Sequence, residues 1–109
     1  MRFFLYLHLV DPHTPHRPHP AEAARLELPS PPAGWPERGL DGVPSDPAPT
    51  PEISEYSSQL YDASVATGDR WFGVLLDELD RLDLSTRTIV VFTSDHGEEL
   101  FEHGECEDI

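Results

Sequence analysis

Residues 88–98 read TIVVFTSDHGE, an apolar run followed at once by acidic, histidine and glycine residues. Residues 88–93 are apolar or β-branched throughout, which is typical of a strand buried on both faces of a parallel sheet. Residues 2–10, RFFLYLHLV, form a second short apolar run of the same kind. The two runs therefore predict two buried strands of one parallel sheet.

A long amphipathic helix is predicted between the two strands. Thr50 is a good N-cap, Pro51 suits the first helical position, and Glu52 favours the positive end of the helix dipole. Apolar residues then recur at helical spacing, and the helix is expected to end near Leu82–Leu84. The order strand, crossover, helix, strand predicts one right-handed βαβ unit.

The twelve prolines lie between Pro12 and Pro51, so residues 11–51 predict a proline-rich loop. A short helical turn is expected near Pro20–Leu26, where alanines favour helix. Two strands alone do not make a stable sheet. We therefore expect this chain to be an internal part of a larger α/β domain.

The charge balance excludes two classes of partner. The chain has 7 basic and 21 acidic residues, a net charge of −14, and every basic residue is arginine. Nucleic acids and anionic membranes need clustered positive charge, so neither is an expected partner. No apolar run approaches the roughly 20 residues of a membrane span. A signal peptide is not predicted, because Asp11 and Pro12 stand where small cleavage-site residues would be needed.

The candidate site follows from the strand ends. Ligands of open α/β sheets bind beyond the carboxyl ends of the strands. The first predicted strand is followed by Asp11 and His13, and the second by Asp95 and His96. A carboxylate and an imidazole together suit a divalent cation. The alternative for Asp95 is the N-cap of a short helix, and the spacing leaves both interpretations open.

The remaining histidines and the cysteine carry weaker signals. His13, His16 and His19 recur at every third residue, which suggests zinc, but the intervening prolines favour a solvated loop. His8 is predicted to be a satisfied core histidine within the first strand. Cys106 is a poor nucleophile candidate because its neighbours are acidic, and negative charge raises a thiol pKa.

Three segments resemble the sulfatases of the alkaline-phosphatase-like superfamily. FFLYLHLVDPHTP at residues 3–15 resembles a strand and loop of that family. Residues 61–79 and the run TIVVFTSDHGE resemble its next helix and strand, and Glu102-His103-Gly104 also matches. The resemblance covers nearly the whole chain outside residues 20–50.

The resemblance implies a fold and a domain assignment. The fold would be α/β, with a mostly parallel sheet sandwiched by helices, and this chain would supply its strand–long loop–helix–strand unit. Residues 1–109 would form part of a sulfatase catalytic domain, and residues 20–50 would be a proline-rich insertion of variable length. The resemblance also favours a periplasmic or extracellular location.

The same resemblance implies a function. The chain would belong to a metal-dependent sulfuric ester hydrolase acting on a sulfated small molecule or glycan. Asp95 and His96 match the metal-binding pair of the family, and His13 matches the histidine that contacts the sulfate group or leaving oxygen. Asp11 and His103 would contact these ligands without binding the metal or the substrate themselves. The metal would be Ca²⁺, with Mn²⁺, Mg²⁺ and Zn²⁺ as alternatives.

The sequence departs from the family pattern in what it lacks. The upstream metal-binding aspartate pair, the Cys/Ser-x-Pro-x-Arg nucleophile motif and the substrate-binding lysine are absent, and Cys106 is followed by Glu-Asp-Ile. We therefore expect the isolated chain to be inactive and to bind metal weakly. The alternatives are a phosphate or phosphonate ester hydrolase or transferase of the same superfamily, and a non-catalytic truncated gene product.

Overall fold

Two α-helices organise the chain. Helix α1 spans Pro20–Arg25, helix α2 spans Pro51–Arg81, and a short 3-10 helix at Ser85–Arg87 follows α2. The computed structural model describes residues 2–37, 39 and 48–101. Both helices were expected from the sequence, and both expectations are confirmed.

Helix α2 begins and ends where its capping signals stand. The Thr50 hydroxyl accepts a hydrogen bond from the Ile53 N–H at 3.4 Å, and Pro51 is the first helical residue. Leu82 caps the carboxyl end, close to the predicted end at residues 82–84. The boundaries follow from local chemistry, because a side-chain cap satisfies an N–H that the helix itself leaves unpaired.

One face of α2 holds the small core of the described chain. The buried apolar side chains are Tyr56, Leu60, Ala63 and Leu79. Three hydroxyl residues share this buried face, and each donates to the carbonyl four residues earlier at 2.9–3.0 Å: Ser57, Ser64 and Thr67. These bonds satisfy the three hydroxyls within the helix, so burial of this face does not leave them unpaired.

Polar contacts hold the segment around α1 against α2. The backbone N–H of His19 donates to Thr67 Oγ1 at 2.8 Å. The Glu22 carboxylate of α1 lies 2.7 Å from Arg25 and 3.7 Å from Arg70 of α2. These contacts join the segment that contains His19 and Glu22 to the middle of α2, and they hold that segment against the helix.

The two predicted strands are not formed within the described residues. These contain no β-strand, only an isolated β-bridge at Glu98. Phe4 is 91% exposed and Ile89 is 92% exposed, so the predicted burial of the two apolar runs is not observed within the described residues. The physical reason is that no described element covers them; the nearest ring contact joins Phe92 to Phe72 of α2 at 4.9 Å.

The chain is elongated along α2. Its radius of gyration is 17.0 Å, against about 13 Å for a compact domain of this length. No helix in the described ranges has both the length and the apolar character to cross a bilayer. The loops that follow the two apolar runs lie beside each other, and the candidate site is there.

Candidate functional site

The loops that follow the two apolar runs meet at a pair of histidines. The rings of His13 and His96 lie 6.0 Å apart between centroids and are inclined at 83°. The two residues are far apart in sequence, so only the fold brings them together. The structure thus places one histidine from each predicted strand end in a single cluster.

Each of these rings has one nitrogen fixed by a backbone carbonyl. Nδ1 of His13 donates to the Thr14 carbonyl oxygen, and Nδ1 of His96 donates to the Gly97 carbonyl oxygen, both at 2.8 Å. A carbonyl oxygen can only accept, so Nδ1 carries the proton. In the neutral ring the lone pair then lies on Nε2, the arrangement of a histidine oriented to ligate a metal.

Asp95 presents an ionised carboxylate beside His96. Its side chain is 79% exposed, and its Oδ1 lies 3.9 Å from Nε2 of His96. The pKa of Asp95 is lowered chiefly by its own backbone N–H, and further by the charges of His96 and His8 and by the His96 N–H; partial desolvation opposes them. A metal ligand must be deprotonated, so this environment favours the form that could bind a cation.

The helix-capping alternative for Asp95 is wrong in this structure. No helix follows Asp95 in the described residues up to residue 101. Instead, Oδ1 of Asp95 accepts from the N–H of His96 at 3.1 Å, and the Ser94 hydroxyl donates to the His96 carbonyl. These bonds tighten the loop around the Asp95-His96 dipeptide, and the loop leaves the carboxylate open to solvent.

The donor set fits part of a metal shell. Asp95 and His96 supply one hard oxygen and one nitrogen, which match a divalent cation in kind. Across residues 2–37, 39 and 48–101, no group of three or more potential ligands comes together. Because Ca²⁺ takes roughly six to eight oxygen ligands, the described residues contribute at most part of such a site.

The other predicted site residues fall in different places. Asp11 lies against α2: its carbonyl oxygen would be 3.6 Å from a Cβ placed on Gly68, and its own Cβ 3.9 Å away. His103 and Cys106 lie outside the described residues. His8 is exposed and faces Tyr6 at 6.4 Å between rings. The prediction of a core histidine at residue 8 is therefore wrong, since nothing described covers the first apolar run.

His16 is buried, so the prediction of a solvated loop is wrong at this residue. Its Nδ1 donates to the Pro12 carbonyl oxygen at 2.6 Å, and its Nε2 lies 3.2 Å from Oε1 of Glu98. The ring of Tyr61 packs edge-on against it at 5.5 Å. His19, by contrast, caps α1 and packs on Trp71, so the three regularly spaced histidines do not converge.

Sequence reasoning missed the part played by Glu98 and Tyr61. Glu98 begins an acidic stretch of the sequence, a composition typical of a solvated surface, yet its side chain is only 6% exposed. Burial, followed by the negative charges of Glu98 and Asp62, raises the pKa of Tyr61. No local spacing marks this contact, because its members come from the first loop, helix α2 and the second loop.

The ends of the two apolar runs thus bring a carboxylate, Asp95, and two imidazoles, His96 and His13, into one region of the structure. The family model described as Sulfatase matches residues 1–108. The chain therefore belongs to the sulfatase family. Membership implies an alkaline-phosphatase-like α/β fold, and the members are hydrolases.

Several sulfatases are similar to this chain. Human iduronate 2-sulfatase is 48% identical over 63 residues, which is 58% of this chain. An endo-4-O-sulfatase of Bacteroides thetaiotaomicron is 32% identical over 100 residues, 90% of this chain. An ulvan-active sulfatase of Formosa agariphila is 32% identical over 101 residues, again 90% of this chain.

The chain spans only a small part of these relatives. It covers 11% of the human protein and 18% of each bacterial protein. No solved structure matches the chain significantly. The similarity thus establishes the family, and the activity of a whole enzyme is a separate question.

Proposed function

We propose that residues 1–109 are part of the catalytic domain of a metal-dependent sulfatase. In this proposal Asp95 and His96 contribute two metal ligands, and His13 contacts the sulfate group or the leaving oxygen. The rest of the domain supplies the nucleophile and the remaining ligands. The observation that carries the proposal is the 6.0 Å approach of His13 to His96, within a chain of the sulfatase family.

The exposed apolar runs support an incomplete domain. Residues 2–10 and 88–93 carry several large apolar side chains more than half exposed, including Phe4, Ile89 and Phe92. A soluble protein rarely leaves so much contiguous apolar surface uncovered. We infer that the two runs pair with strands of the remaining domain in a mostly parallel sheet, with residues 20–50 as an insertion loop.

The two proposed roles require different protonation of the two histidines. At His96, the proton on Nδ1 places the lone pair of the neutral ring on Nε2, the atom that would bind the metal ion in this proposal. At His13, Nδ1 is also committed to a carbonyl, so a second proton on Nε2 would be needed to donate to a sulfate oxygen. Such a donor stabilises negative charge that develops on the leaving oxygen.

The residues fit a divalent cation in kind, and Ca²⁺ is the proposed ion, with Mn²⁺, Mg²⁺ and Zn²⁺ as alternatives. A cation bound beside Asp95 would supply Lewis-acid polarisation of the sulfuryl oxygens. Asp95 holds its charge through the bonds that lower its pKa. Asp11 and His103 remain proposed supporting residues for the metal site, and His103 lies outside the described residues.

The names of the relatives guide the substrate class. They include an iduronate 2-sulfatase, an endo-4-O-sulfatase and an ulvan-active sulfatase. We propose a sulfated glycan or a sulfated small molecule as the substrate, in a periplasmic or extracellular setting.

The test uses the complete gene product that contains these residues, assayed with an aryl sulfate and titrated with Ca²⁺. Asp95→Asn should weaken Ca²⁺ binding by at least about tenfold, because it removes a charged ligand. His13→Gln should lower kcat by about a hundredfold, with Ca²⁺ affinity within about twofold, because it removes only a donor to the reacting group.

Asp77→Asn is the matched control, since Asp77 is an exposed carboxylate on α2. It should leave both quantities unchanged. Hydrolysis of an aryl phosphate in place of the sulfate would assign the protein to a phosphoryl-transfer branch of the superfamily. An absence of both activities and of Ca²⁺ binding would leave a non-catalytic gene product and overturn the proposal.

A further inference from the structure

A buried contact joins the two loops that carry His13 and His96 of the candidate site. The side chains of His16 and Glu98 are 0% and 6% exposed, and Nε2 of His16 lies 3.2 Å from Oε1 of Glu98. His16 follows His13 by three residues, and Glu98 follows His96 by two. The contact thus joins the same two loops that carry His13 and His96.

The chemistry of the ring makes this contact directional. The Pro12 carbonyl accepts from Nδ1 of His16 at 2.6 Å, which fixes the ring plane within its own loop. The Nε2 edge of the ring then meets the other loop, where it lies 3.2 Å from Oε1 of the Glu98 carboxylate.

Helix α2 closes the third side of the contact. The ring of Tyr61 packs edge-on against His16 at 5.5 Å, and the charge of Glu98 acts on the Tyr61 phenol. A buried charge pair adds little net stability, because desolvation offsets its attraction, and its best-attested use is to fix one arrangement. This placement suits a positioning contact better than a stabilising one.

We propose that His16 and Glu98 are positioning residues, which hold the loop of residues 94–98 against the loop of residues 11–16 so that His13 and His96 face one substrate. The inference deepens the proposed function and rests on it for its consequence in catalysis. Loss of the contact should let the two loops separate, while Asp95, His96 and His13 themselves stay intact.

The variants are chosen by the ring atom that they preserve. His16→Asn keeps an amide nitrogen near the position of Nδ1 and removes the group that faces Glu98. His16→Gln keeps a nitrogen near the position of Nε2 and so serves as the conservative rescue. Glu98→Gln removes the charge at constant shape, and Glu99→Gln is its control because it removes the neighbouring charge in the same loop.

The measurements are made on the complete gene product, with two independent readouts. One is the set of ring resonances of His13 and His96, observed in ¹³C-histidine-labelled protein without added metal. The other is the affinity for Ca²⁺ together with kcat and KM for an aryl sulfate. The resonances report the positions of the two rings whether or not the protein is an active sulfatase.

His16→Asn and Glu98→Gln should each move both ring resonances and weaken Ca²⁺ binding by about tenfold, the usual effect of losing a group that orients a metal ligand. The double variant should be no worse than either single one, and His16→Gln should recover most of the affinity. Glu99→Gln should change nothing.

Unmoved resonances, with Ca²⁺ affinity within about twofold of the parent, would overturn the positioning role even if the melting temperature fell. If His16→Asn fails to fold, Glu98→Gln decides by the same readouts. If the parent protein neither binds Ca²⁺ nor cleaves the sulfate, the proposed function fails on its own. The ring resonances then still decide whether the pair holds the two loops together.

Discussion

Tyr61 shows how a single residue reports the contact between distant segments. Its phenol is partly buried on α2, beside the ring of His16. Burial disfavours the phenolate most strongly, and the carboxylates of Glu98 and Asp62 add to the effect, so the pKa of Tyr61 is raised above 10.0. The ionisation of this one group therefore depends on the second loop remaining in place.

Glu98→Gln should lower the pKa of Tyr61, because it removes one of the negative charges that oppose the phenolate. The change is measured as the difference in tyrosinate absorbance between proteins with Tyr61 and with Tyr61→Phe. Glu55→Gln, an exposed carboxylate on α2, is the control and should leave the titration alone. An unchanged titration in Glu98→Gln would contradict the contact.

The pH dependence has a definite sign. A pKa that is higher in the folded than in the unfolded state favours folding while the group is protonated. The contribution of Tyr61 is therefore complete below pH 10.0, its ordinary pKa, and is lost as the pH rises through the higher folded value. Glu98→Gln should bring the folded pKa of Tyr61 closer to 10.0, so the pH range over which this contribution is lost becomes smaller.

Helix α2 is the element that positions both loops. It contacts the first loop through Thr67 and Arg70, and the second apolar run through Phe72. Its start depends on the Thr50 cap. In the same turn the pKa of Glu52 is lowered chiefly by its own backbone N–H and further by the Thr50 hydroxyl. A substitution that removes this cap should therefore destabilise the first turn of α2 and leave the candidate site unchanged.

Thr50→Ala should free the first turn of α2, because an N-cap hydroxyl is worth about 1 kcal/mol. Amide hydrogen exchange in residues 52–56 should then quicken by about fivefold, the rate change that corresponds to that energy. Thr50→Ser keeps the hydroxyl and should exchange at nearly the parent rate. Equal exchange in the alanine variant would show that other contacts hold this end.

At the scale of the whole molecule, the apolar runs are the unusual feature. In this chain they lie on the surface, whereas their sequences are typical of strands buried on both faces. The elongated form, with a radius of gyration of 17.0 Å, gives them no described cover. If the two runs pair with further strands in the complete protein, as proposed, they are buried there and exposed in the isolated chain.

Phe4→Ser distinguishes the two environments. In the isolated chain, where Phe4 is 91% exposed, the substitution should leave helix content unchanged and reduce self-association. In the complete gene product it should cost about 3 kcal/mol or more, because a buried phenylalanine is lost. Circular dichroism and light scattering serve the first case, and thermal unfolding serves the second. A harmless substitution in both contexts would contradict a buried sheet strand at residues 2–10.

The sequence by itself determined the helices and their ends. Pro51 and the cap at Thr50 define the start of α2, and Pro20 and the following alanines define α1. These features act between residues a few positions apart, so they hold in any tertiary context. The motifs after the two apolar runs also identified the family that the comparison then established.

Only the tertiary structure decided which polar residues meet. No local pattern predicts that His16 is buried against Glu98, since the two are about eighty residues apart and each stands in a stretch typical of solvated loops. It also could not separate His16 from His13 and His19, which share its spacing. Burial depends on which distant segments the fold brings together, and residues a few positions apart in the sequence do not determine that.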